Sequence, residues 1–386
     1  MDFSLTDEQK AFYDMVLKYS KNELVEDLTE YDHESKWPQH IWERMGAYGL
    51  LGLPYPEEYG GQGADCLTTC LAKMAVGASG LDGGITLSWG AHTILCGVPI
   101  WKLGTEEQKK RYLPKLASGE WLGGFGLTEP NAGSDATAVQ TTAVKKGDRY
   151  ILNGSKMFIT NGPIGKVFIV IASTNKEAKA FGISAFIVES DFPGFSAGKK
   201  LDKMGVRTST TSELIFEDCE VPEENLLDQE NFGFINVAKL ILGWERSCLL
   251  APAVGAMEAG LERIVQYAKD RVQFKRPIAR FQAIQHMLAN MKMRLEVSRQ
   301  LIYRQAWLLD SGAELPMVEA AITKVYLTEA GMKSAEDAVQ ILGGYGLMKE
   351  YIVERGFRDA KLGTIGAGTN EIQRSIIARS LMNLGY

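Results

Sequence analysis

The chain has 386 residues, of which 45% are hydrophobic and 23% are charged, and its formal net charge is −6. This length allows two or three domains or one large layered unit, and the composition is ordinary for a globular protein. The acidic balance argues against nucleic-acid binding as a main activity, because neutralising phosphates requires concentrated lysine and arginine. No apolar run in the sequence reaches the length needed for membrane insertion.

Residues 1–121 are predicted to form a helical domain. Residues 4–7 carry cap-forming side chains, and apolar residues follow them at helical spacing. We expect another helix over 66–76, a buried apolar segment over 82–98, and a charged helix with its cap and body over 105–113. The N-terminal residues have the pattern of neither a secretory signal nor a transit peptide, so a cytoplasmic protein is expected.

Residues 122–230 are predicted to form a mostly antiparallel β domain, arranged as a barrel or sandwich. Short β-branched runs alternate with turn signals, of which Lys146-Gly147-Asp148 is the first. Asn153-Gly154 is the second, and an Asn-Gly pair between two such runs predicts a hairpin.

Residues 231–386 return to the helical period and are predicted to form a C-terminal four-helix bundle. Long amphipathic segments are expected over 257–269, 281–311 and 317–342. Such helices bury their apolar stripes against one another. The expected fold class is therefore α+β, mainly α, in the order helical domain, β domain, helical bundle.

The sequence lacks several common motifs of catalysis and cofactor binding. It has no phosphate-binding P-loop, no G-x-G-x-x-G between a strand and a helix, and no G-x-S-x-G. Its four histidines lack metal-ligand spacing and are expected to be structural. Its five cysteines form no C-x-x-C pair, and Cys66 and Cys70 have helical spacing without a second ligand pair nearby in sequence. No metal site is predicted, and such an odd, scattered set is typical of a reducing cytoplasm.

One carboxylate, Glu245, is set in the apolar helical run KLILGWERSCLL over 239–250. Leu242 and Trp244 are among its apolar neighbours, and Arg246 follows it directly. A carboxyl group in apolar surroundings tends to have a raised pKa, which favours a role as proton acceptor near neutral pH. The same pair also fits an ordinary surface ion pair, and the local pattern leaves both interpretations open.

Several clusters of glycines and polar residues remain. They are LTEPNAGSD (127–135), KMFITNG (156–162), RVQFKRPIARFQ (271–282), QILGGYG (340–346) and AGTNEIQR (367–374). Backbone N–H groups at glycines, with threonine and arginine side chains, can bind phosphates and ring carbonyls. Together with FEDCEVPEENLL and VERGFRDAK, and in this order over essentially the whole chain, these motifs resemble the acyl-CoA dehydrogenase family of flavoproteins.

The resemblance implies FAD bound between the β domain and the C-terminal bundle of a homotetramer. Thr128 would lie near the pyrimidine edge of the flavin, and Phe158 and Thr160 would flank its ring. A neighbouring subunit would supply the segments around Arg271 and Gly343. The implied FAD-binding residues are Phe125, Leu127, Thr128, Gly133, Ser134, Phe158, Thr160, Arg271, Gln273, Phe274, Gln282, Gln340, Gly343, Gly344, Thr369 and Glu371. Two of the neighbouring positions depart from the family pattern: Phe158 replaces a frequent Trp, and Lys275 a common Gly.

The resemblance also implies the position of the catalytic base. Many members carry a glutamate in an E-G-T loop, where this chain has Ala367. A minority, including isovaleryl and long-chain types, carry the base before an arginine on the helix after the β domain, which here is Glu245. The implied activity is FAD-dependent α,β-desaturation of an acyl-CoA thioester, with Glu245 removing the α-proton and flavin N5 accepting the β-hydride. The substrate would lie against Ser134, Leu242, Arg246, Ala367 and Gly368, and the space at Ala367 would admit a branched or cyclic acyl group.

Two other enzyme classes and one binding protein resemble the chain in part. The first is a dehydrogenase or oxidase acting on an acyl or aminoacyl thioester tethered to a carrier protein. The second is an oxidase, in which O2 replaces the electron-transfer flavoprotein expected as the acceptor in acyl-CoA metabolism. A DNA-protecting relative would have an extended basic C-terminal region, which this acidic sequence does not contain.

Overall fold

The computed structural model describes residues 4–313 and 315–382, apart from the side chain of Leu242. That side chain, one of the implied substrate contacts, and the outer ends of the predicted first and third domains therefore lie outside the described part. Within it, helical, β and helical regions follow one another, which confirms the predicted mainly helical α+β fold. The division of the chain at residues 121 and 230 stays a prediction.

The N-terminal helices begin where the sequence predicts caps. Thr6 and Thr105 are N-caps, and each forms a reciprocal capping box with the glutamine three residues later, Gln9 or Gln108. The helices are α1 (Asp7–Tyr19), α2 (Thr29–Glu34), α3 (Gln39–Ala47), α4 (Cys66–Ala78), α5 (Gly83–Trp89), α6 (Val98–Leu103) and α7 (Glu106–Ser118). A π-helical segment, Gly90–Gly97, joins α5 to α6 in one buried rod, so the apolar segment expected over 82–98 is a helix.

The predicted end of α7 near Leu113 is wrong, because the helix continues through Pro114 to Ser118. Proline removes one backbone hydrogen bond from a helix interior and disfavours the helical conformation before it. Leu113, Leu116 and Ala117 are nevertheless buried in the core. This tertiary packing holds the last turn in helical form despite the proline.

The β region is one eight-stranded sheet with mostly antiparallel pairing. Its strands are β1 (Gly123–Gly126), β2 (Thr142–Lys146), β3 (Arg149–Thr160), β4 (Val167–Ser173), β5 (Ile183–Glu189), β6 (Phe195–Ala197), β7 (Thr211–Pro222) and β8 (Leu226–Leu227). The order is β6-β7-β3-β2-β4-β5-β8, with β1 pairing with β4 in parallel. Alternate side chains from this sheet form a core of its own around Phe168, Phe186 and Phe216.

Of the two predicted turns, one forms a hairpin and the other does not. Gly147 and Asp148 connect β2 to β3 in a two-residue hairpin, and Gly147 has a φ of 64°. The hairpin predicted at Asn153-Gly154 is wrong, because β3 runs on through these residues. The pairing of β3 with β7 is irregular there, between Leu152 and Gly154. The Asn-Gly pair therefore marks a bulge, where the flexible glycine lets one strand bend without reversing.

The C-terminal region is helical, as predicted. Its helices are α8 (Gly233–Trp244), α9 (Ala251–Asp270), α10 (Gln282–Asp310), α11 (Met317–Leu342), α12 (Val353–Ala360) and α13 (Asn370–Leu381). Helices α9, α10 and α11 pack against one another, and α13 packs on α11. The short strands β9 (Val272–Gln273) and β10 (Arg276–Pro277) pair in the connection between α9 and α10.

Two glycines bring α4 and α9 into close contact. A Cβ atom at Gly255 would lie 1.9 Å from the Met74 carbonyl oxygen, and one at Gly77 would lie 2.1 Å from the Pro252 carbonyl oxygen. Only residues without side chains allow the two backbones to approach so closely. This contact fixes the N-terminal helices against α9, which closely follows the segment that contains Glu245.

His92 is buried and joins the N-terminal helices to the sheet. Its Nε2 donates to the Leu116 carbonyl at 2.9 Å, and its Nδ1 accepts from the Gly123 amide at 2.9 Å. Acceptance at Nδ1 requires the neutral ring, and burial lowers the pKa of His92 to about 3. The contacts are those of a structural histidine.

In the described part of the chain, no helix combines the length and apolarity needed to cross a bilayer.

Candidate active site

Glu245 and Arg246 form a largely buried ion pair. They begin a π-helical segment, Glu245–Leu249, that continues α8 directly. The side chains are 12% and 4% exposed, and an Arg246 Nη donates to Glu245 Oε2 at 3.0 Å. The surface interpretation of this pair is therefore wrong. Short π-helical segments are often found at functional sites.

The same guanidinium also reaches the loop that contains Ala367. The second Nη of Arg246 donates to the Ala367 carbonyl at 2.7 Å. Arg246 therefore bridges the helical carboxylate and the loop backbone with its two terminal nitrogens. Residues 121 apart in sequence are held beside each other by one rigid, planar side chain.

The backbone of this loop is in an unusual conformation. Ala367 has a φ of 58° and Gly368 a φ of 78°, so both are left-handed. Thr369 then caps α13, its hydroxyl accepting from the Ile372 amide at 3.3 Å. Glu371 lies exposed in the first turn of α13, where hydrogen bonds to its own backbone and to Thr369 lower the pKa of its carboxyl group.

A buried lysine supports the start of α13. Lys324, on α11, donates to Asn370 Oδ1 at 2.8 Å. Burial and the charge of Arg246 together lower the pKa of Lys324 to about 8, against the opposing charge of Glu245. The sequence reasoning missed Lys324, because a lysine inside a long amphipathic helix carries no motif.

A second group of candidate residues lies at the C-terminal end of β3. Phe158 is 64% exposed and has a left-handed φ of 61°, and Thr160 ends β3 beside it. The Met157 amide donates to the Thr128 carbonyl at 2.7 Å, which joins this strand to the loop after β1. The structure therefore brings together residues from two motifs that lie about thirty positions apart.

A buried ion pair lies beneath this junction. Lys156 Nζ is 2.6 Å from Glu129 Oε1, and the side chains are 0% and 4% exposed. Lys156 also donates to the Leu127 carbonyl at 3.3 Å. Glu129 accepts from the hydroxyl of Thr141 and from the backbone amides of Gln140 and Thr141. The sequence reasoning passed over both residues, although each lies inside a quoted motif.

The remaining sheet-side candidates line the same loop. Phe125 and Leu127 are partly buried and pack against the main core. Gly133 and Ser134 are exposed, and no described atom lies within 4 Å of a Cβ placed on Gly133. This part of the loop therefore presents open backbone.

A third group lines a cleft of ≈ 630 Å³ in the C-terminal region. Arg271, Gln273, Gly343 and Gly344 are among its lining residues. The Arg271 guanidinium is 5.3 Å from the centre of the Tyr345 ring. All the lining residues belong to the C-terminal region, so in one chain this cleft does not include the sheet-side group. Tyr345 was not among the predicted residues.

The residues next to this cleft show how the Lys275 position is accommodated. Phe274 and Lys275 have φ values of 51° and 63°. The turn therefore forms with two non-glycine residues in the left-handed backbone conformation, without the family's glycine. Phe274 is 88% exposed. Gln282 is the exposed first residue of α10, and the Gln340 carbonyl accepts from the Gly343 amide at the end of α11.

These groups offer what a dinucleotide cofactor with a flat ring requires. The end of β3 and the loop after β1 present an exposed aromatic ring, a hydroxyl group and open backbone. The cleft presents a guanidinium group, a side-chain amide and two glycines, and a Cβ atom placed on either glycine would contact no described atom. Aromatic faces suit ring packing, and arginine with free backbone N–H groups suits a pyrophosphate. The residues present therefore fit FAD.

Three family models cover nearly all of the chain. The acyl-CoA dehydrogenase N-terminal domain matches residues 6–120, the middle domain residues 124–219, and the C-terminal domain residues 232–382. The chain belongs to the acyl-CoA dehydrogenase family. It is an FAD-dependent oxidoreductase, as predicted.

Similar proteins include enzymes with different named substrates. The acyl-CoA dehydrogenase of Bacillus subtilis (strain 168) is 46% identical, covering 98% of this chain and 99% of its own. The mitochondrial isovaleryl-CoA dehydrogenase of Solanum tuberosum is 42% identical, covering 97% and 91%.

Solved structures extend the same comparison. Butyryl-CoA dehydrogenase from Megasphaera elsdenii has 43% identity and a TM-score of 0.93, covering 99% of this chain and 100% of its own. The prolyl acyl carrier protein oxidase AnaB has 38% identity and a TM-score of 0.95, covering 98% and 100%. The names of these similar proteins thus differ in both the acyl group and its carrier.

Proposed function

We propose that the protein desaturates an acyl-CoA thioester between its α and β carbons, with Glu245 as the base that removes the α-proton. The bridge formed by Arg246 carries this proposal. The two places at which family members are expected to carry the base, Glu245 on the helix and position 367 in the loop, lie at opposite ends of one guanidinium group. A base at either place would therefore serve the same reaction centre.

The chain's own residues would divide the work as follows. Glu245 accepts the proton released from the α carbon, and the electron pair of that bond forms the new double bond as a hydride leaves the β carbon. Bound FAD supplies the acceptor for that hydride. The Ala367 amide donates to the thioester carbonyl, where negative charge develops. Arg246 holds the Glu245 carboxylate and the loop at fixed relative positions, so it is a positioning residue.

The proposed FAD site uses the two separate groups of residues. One chain would contact the flavin and the nearby ligand atoms through Phe125, Leu127, Thr128, Gly133, Ser134, Phe158 and Thr160. The neighbouring subunit would contact the rest of the cofactor through its copies of Arg271, Gln273, Phe274, Gln282, Gln340, Gly343 and Gly344. Thr369 and Glu371 would close the site. The division is supported by the lining of the C-terminal cleft, which uses only C-terminal residues.

Anaerobic titration of the purified enzyme with acyl-CoA thioesters, followed by loss of flavin absorbance, tests the base. Glu245→Gln should retain FAD and bind the thioester, but its rate should fall by about 10³-fold, because general bases typically contribute 10²–10⁴. Glu262→Gln, an exposed glutamate on α9, is the matched control and should react normally. A normal rate in Glu245→Gln would show that the base lies elsewhere.

Moving the carboxylate across the bridge provides a second test. Adding Ala367→Glu to the Glu245→Gln variant should restore activity by at least about 10-fold, because both positions face the same guanidinium. If the double variant stays as slow as Glu245→Gln, the two positions do not serve one reaction centre.

The acyl group is proposed from the missing side chain at position 367. Alanine leaves room near the α carbon, which favours an α-branched, cyclic or otherwise bulky acyl group over a straight chain. This would place the enzyme among the members with a helical base, such as the isovaleryl type. A panel of straight, branched and cyclic acyl-CoAs, compared by kcat/KM, tests this. Much faster reaction of the straight chains would contradict it.

A thioester on a carrier protein is the second candidate substrate. The similarity to a prolyl acyl carrier protein oxidase over 98% of this chain is the observation that favours it. Comparing turnover of the same acyl group on CoA and on a carrier protein separates the two. Hydrogen peroxide release without an added acceptor would further indicate an oxidase.

We also propose an electron-transfer flavoprotein as acceptor and a homotetramer as the assembled state. The tetramer is supported by large apolar side chains exposed on the C-terminal helices, including Met293, Trp307 and Leu381. Light scattering should give four times the 42.5 kDa chain mass. Coupling to a purified electron-transfer flavoprotein should exceed the rate with O2.

A further inference from the structure

Three buried cysteines meet behind the helix that carries Glu245. Cys66 and Cys70 lie one turn apart on α4, and Cys248 lies in the π-helical segment Glu245–Leu249. The Cys248 sulfur is 3.5 Å from that of Cys66 and 3.4 Å from that of Cys70. All three are free thiols with at most 1% exposure, and their sulfurs lie within 4.8 Å of one another.

The spacing of these sulfurs suits a tetrahedral thiolate site. Zinc binds cysteine sulfur at about 2.3 Å, which places the sulfurs of one tetrahedron about 3.8 Å apart. The two sulfur separations at Cys248 are a few tenths of an ångström shorter, so a small outward movement would make room for the ion. Ser247 offers a fourth, neutral donor, because its hydroxyl lies 3.3 Å from the Cys66 sulfur. That hydroxyl donates to the Gly243 carbonyl at 2.8 Å, which leaves its lone pairs available.

A buried cation beside the cluster supplies the charge balance. Lys73, one turn after Cys70 on α4, is fully buried, and its Nζ has no hydrogen-bond partner among the described residues. It lies 3.4 Å from the centre of the Trp89 ring.

Charge neutrality selects the kind of ion. Three thiolates and a divalent cation carry a net charge of −1, which the Lys73 ammonium cancels. A monovalent soft ion would leave a buried negative charge without compensation. Binding a divalent ion releases the three thiol protons to solvent, so charge and atoms balance.

We propose that Cys66, Cys70 and Cys248 bind one zinc ion, with Ser247 as the fourth ligand and Lys73 as the compensating charge. The site is structural, because every ligand is buried and all four positions are filled. It joins α4 to the segment that begins with Glu245, and Cys248 follows Glu245 by three residues. Zinc would thus help to hold the proposed base in place. No sequence pattern predicts this site, because the third ligand lies 178 residues after the second.

The metal content of the holoenzyme tests the proposal. Wild-type protein expressed with supplemental zinc should contain about one zinc per chain after gel filtration, while Cys70→Ser and Cys248→Ser should contain at least about 5-fold less. Cys96→Ser and Cys219→Ser are matched controls, because both residues are buried free cysteines outside the cluster. Both controls should retain wild-type zinc.

X-ray absorption at the zinc edge of the wild-type enzyme keeps the proposal testable even if a cluster variant fails to fold. The expected first shell has three sulfur atoms at about 2.3 Å and one oxygen. Less than about 0.1 zinc per chain in the wild type, a shell without sulfur, or unchanged zinc in both cluster variants would overturn the proposal.

Discussion

Removal of Lys156 should destabilise the β domain and release FAD, because it leaves a carboxylate buried beneath the proposed flavin site. Breaking a buried ion pair by deleting one partner typically costs 3–5 kcal/mol. Glu129 would keep three hydrogen bonds, from Gln140 and Thr141. We therefore expect Lys156→Met to lower the free energy of unfolding by about 3 kcal/mol, at the lower end of that range.

Urea unfolding followed by circular dichroism, together with the bound FAD per chain, measures this effect. The double variant Glu129→Gln, Lys156→Met should recover part of the loss, since it removes both charges. Lys145→Met is the matched control in the same sheet, because the Lys145–Glu223 pair is 46% and 51% exposed. It should cost less than about 1 kcal/mol. A Lys156→Met variant with the stability and FAD content of this control would refute the reasoning.

Three further predictions concern other contacts. Gly255→Ala should lower the free energy of unfolding by about 1–3 kcal/mol in urea titrations, because its Cβ would overlap the Met74 carbonyl. Gly260→Ala, in open space on the same helix, should not; equal effects would contradict the packing argument. Arg246→Lys should lower kcat by about 10- to 100-fold with FAD retained, because lysine cannot bridge two acceptors rigidly; an unchanged kcat would remove the bridge from the mechanism. The depressed pKa of His92 contributes stability that is fully present above pH 6.5 and is lost as the pH falls through about 3. That loss amounts to about 4–5 kcal/mol in unfolding free energy, and it should be absent from the pH profile of His92→Gln; identical profiles would contradict the assignment.

The sequence by itself determined features that depend on neighbouring residues. The caps at Thr6 and Thr105, the hairpin at Gly147-Asp148 and the span of α11 all follow from local hydrogen bonding and from apolar spacing. The motif order also led to the family and to FAD, because each motif is a short continuous stretch. Such features can be predicted from the sequence because the interacting residues lie within a few positions of one another.

Only the tertiary structure decided features whose partners are distant in sequence. Packing of α7 against the core overrides Pro114, and the pairing of β3 with β7 turns Asn153-Gly154 from a predicted hairpin into a bulge. In both cases a long-range contact outweighs a local preference of a few kcal/mol at most.

The candidate site follows the same rule. From sequence, Glu245 fits a surface ion pair as well as a buried carboxylate, and only the fold buries it and connects it to Ala367 through Arg246. The contact of Cys248 with Cys66 and Cys70 on α4 likewise cannot be predicted from the order of residues in the chain. A sequence specifies which groups are present and their local geometry. The tertiary packing decides which of those groups meet, because burial and electrostatic pairing act through space.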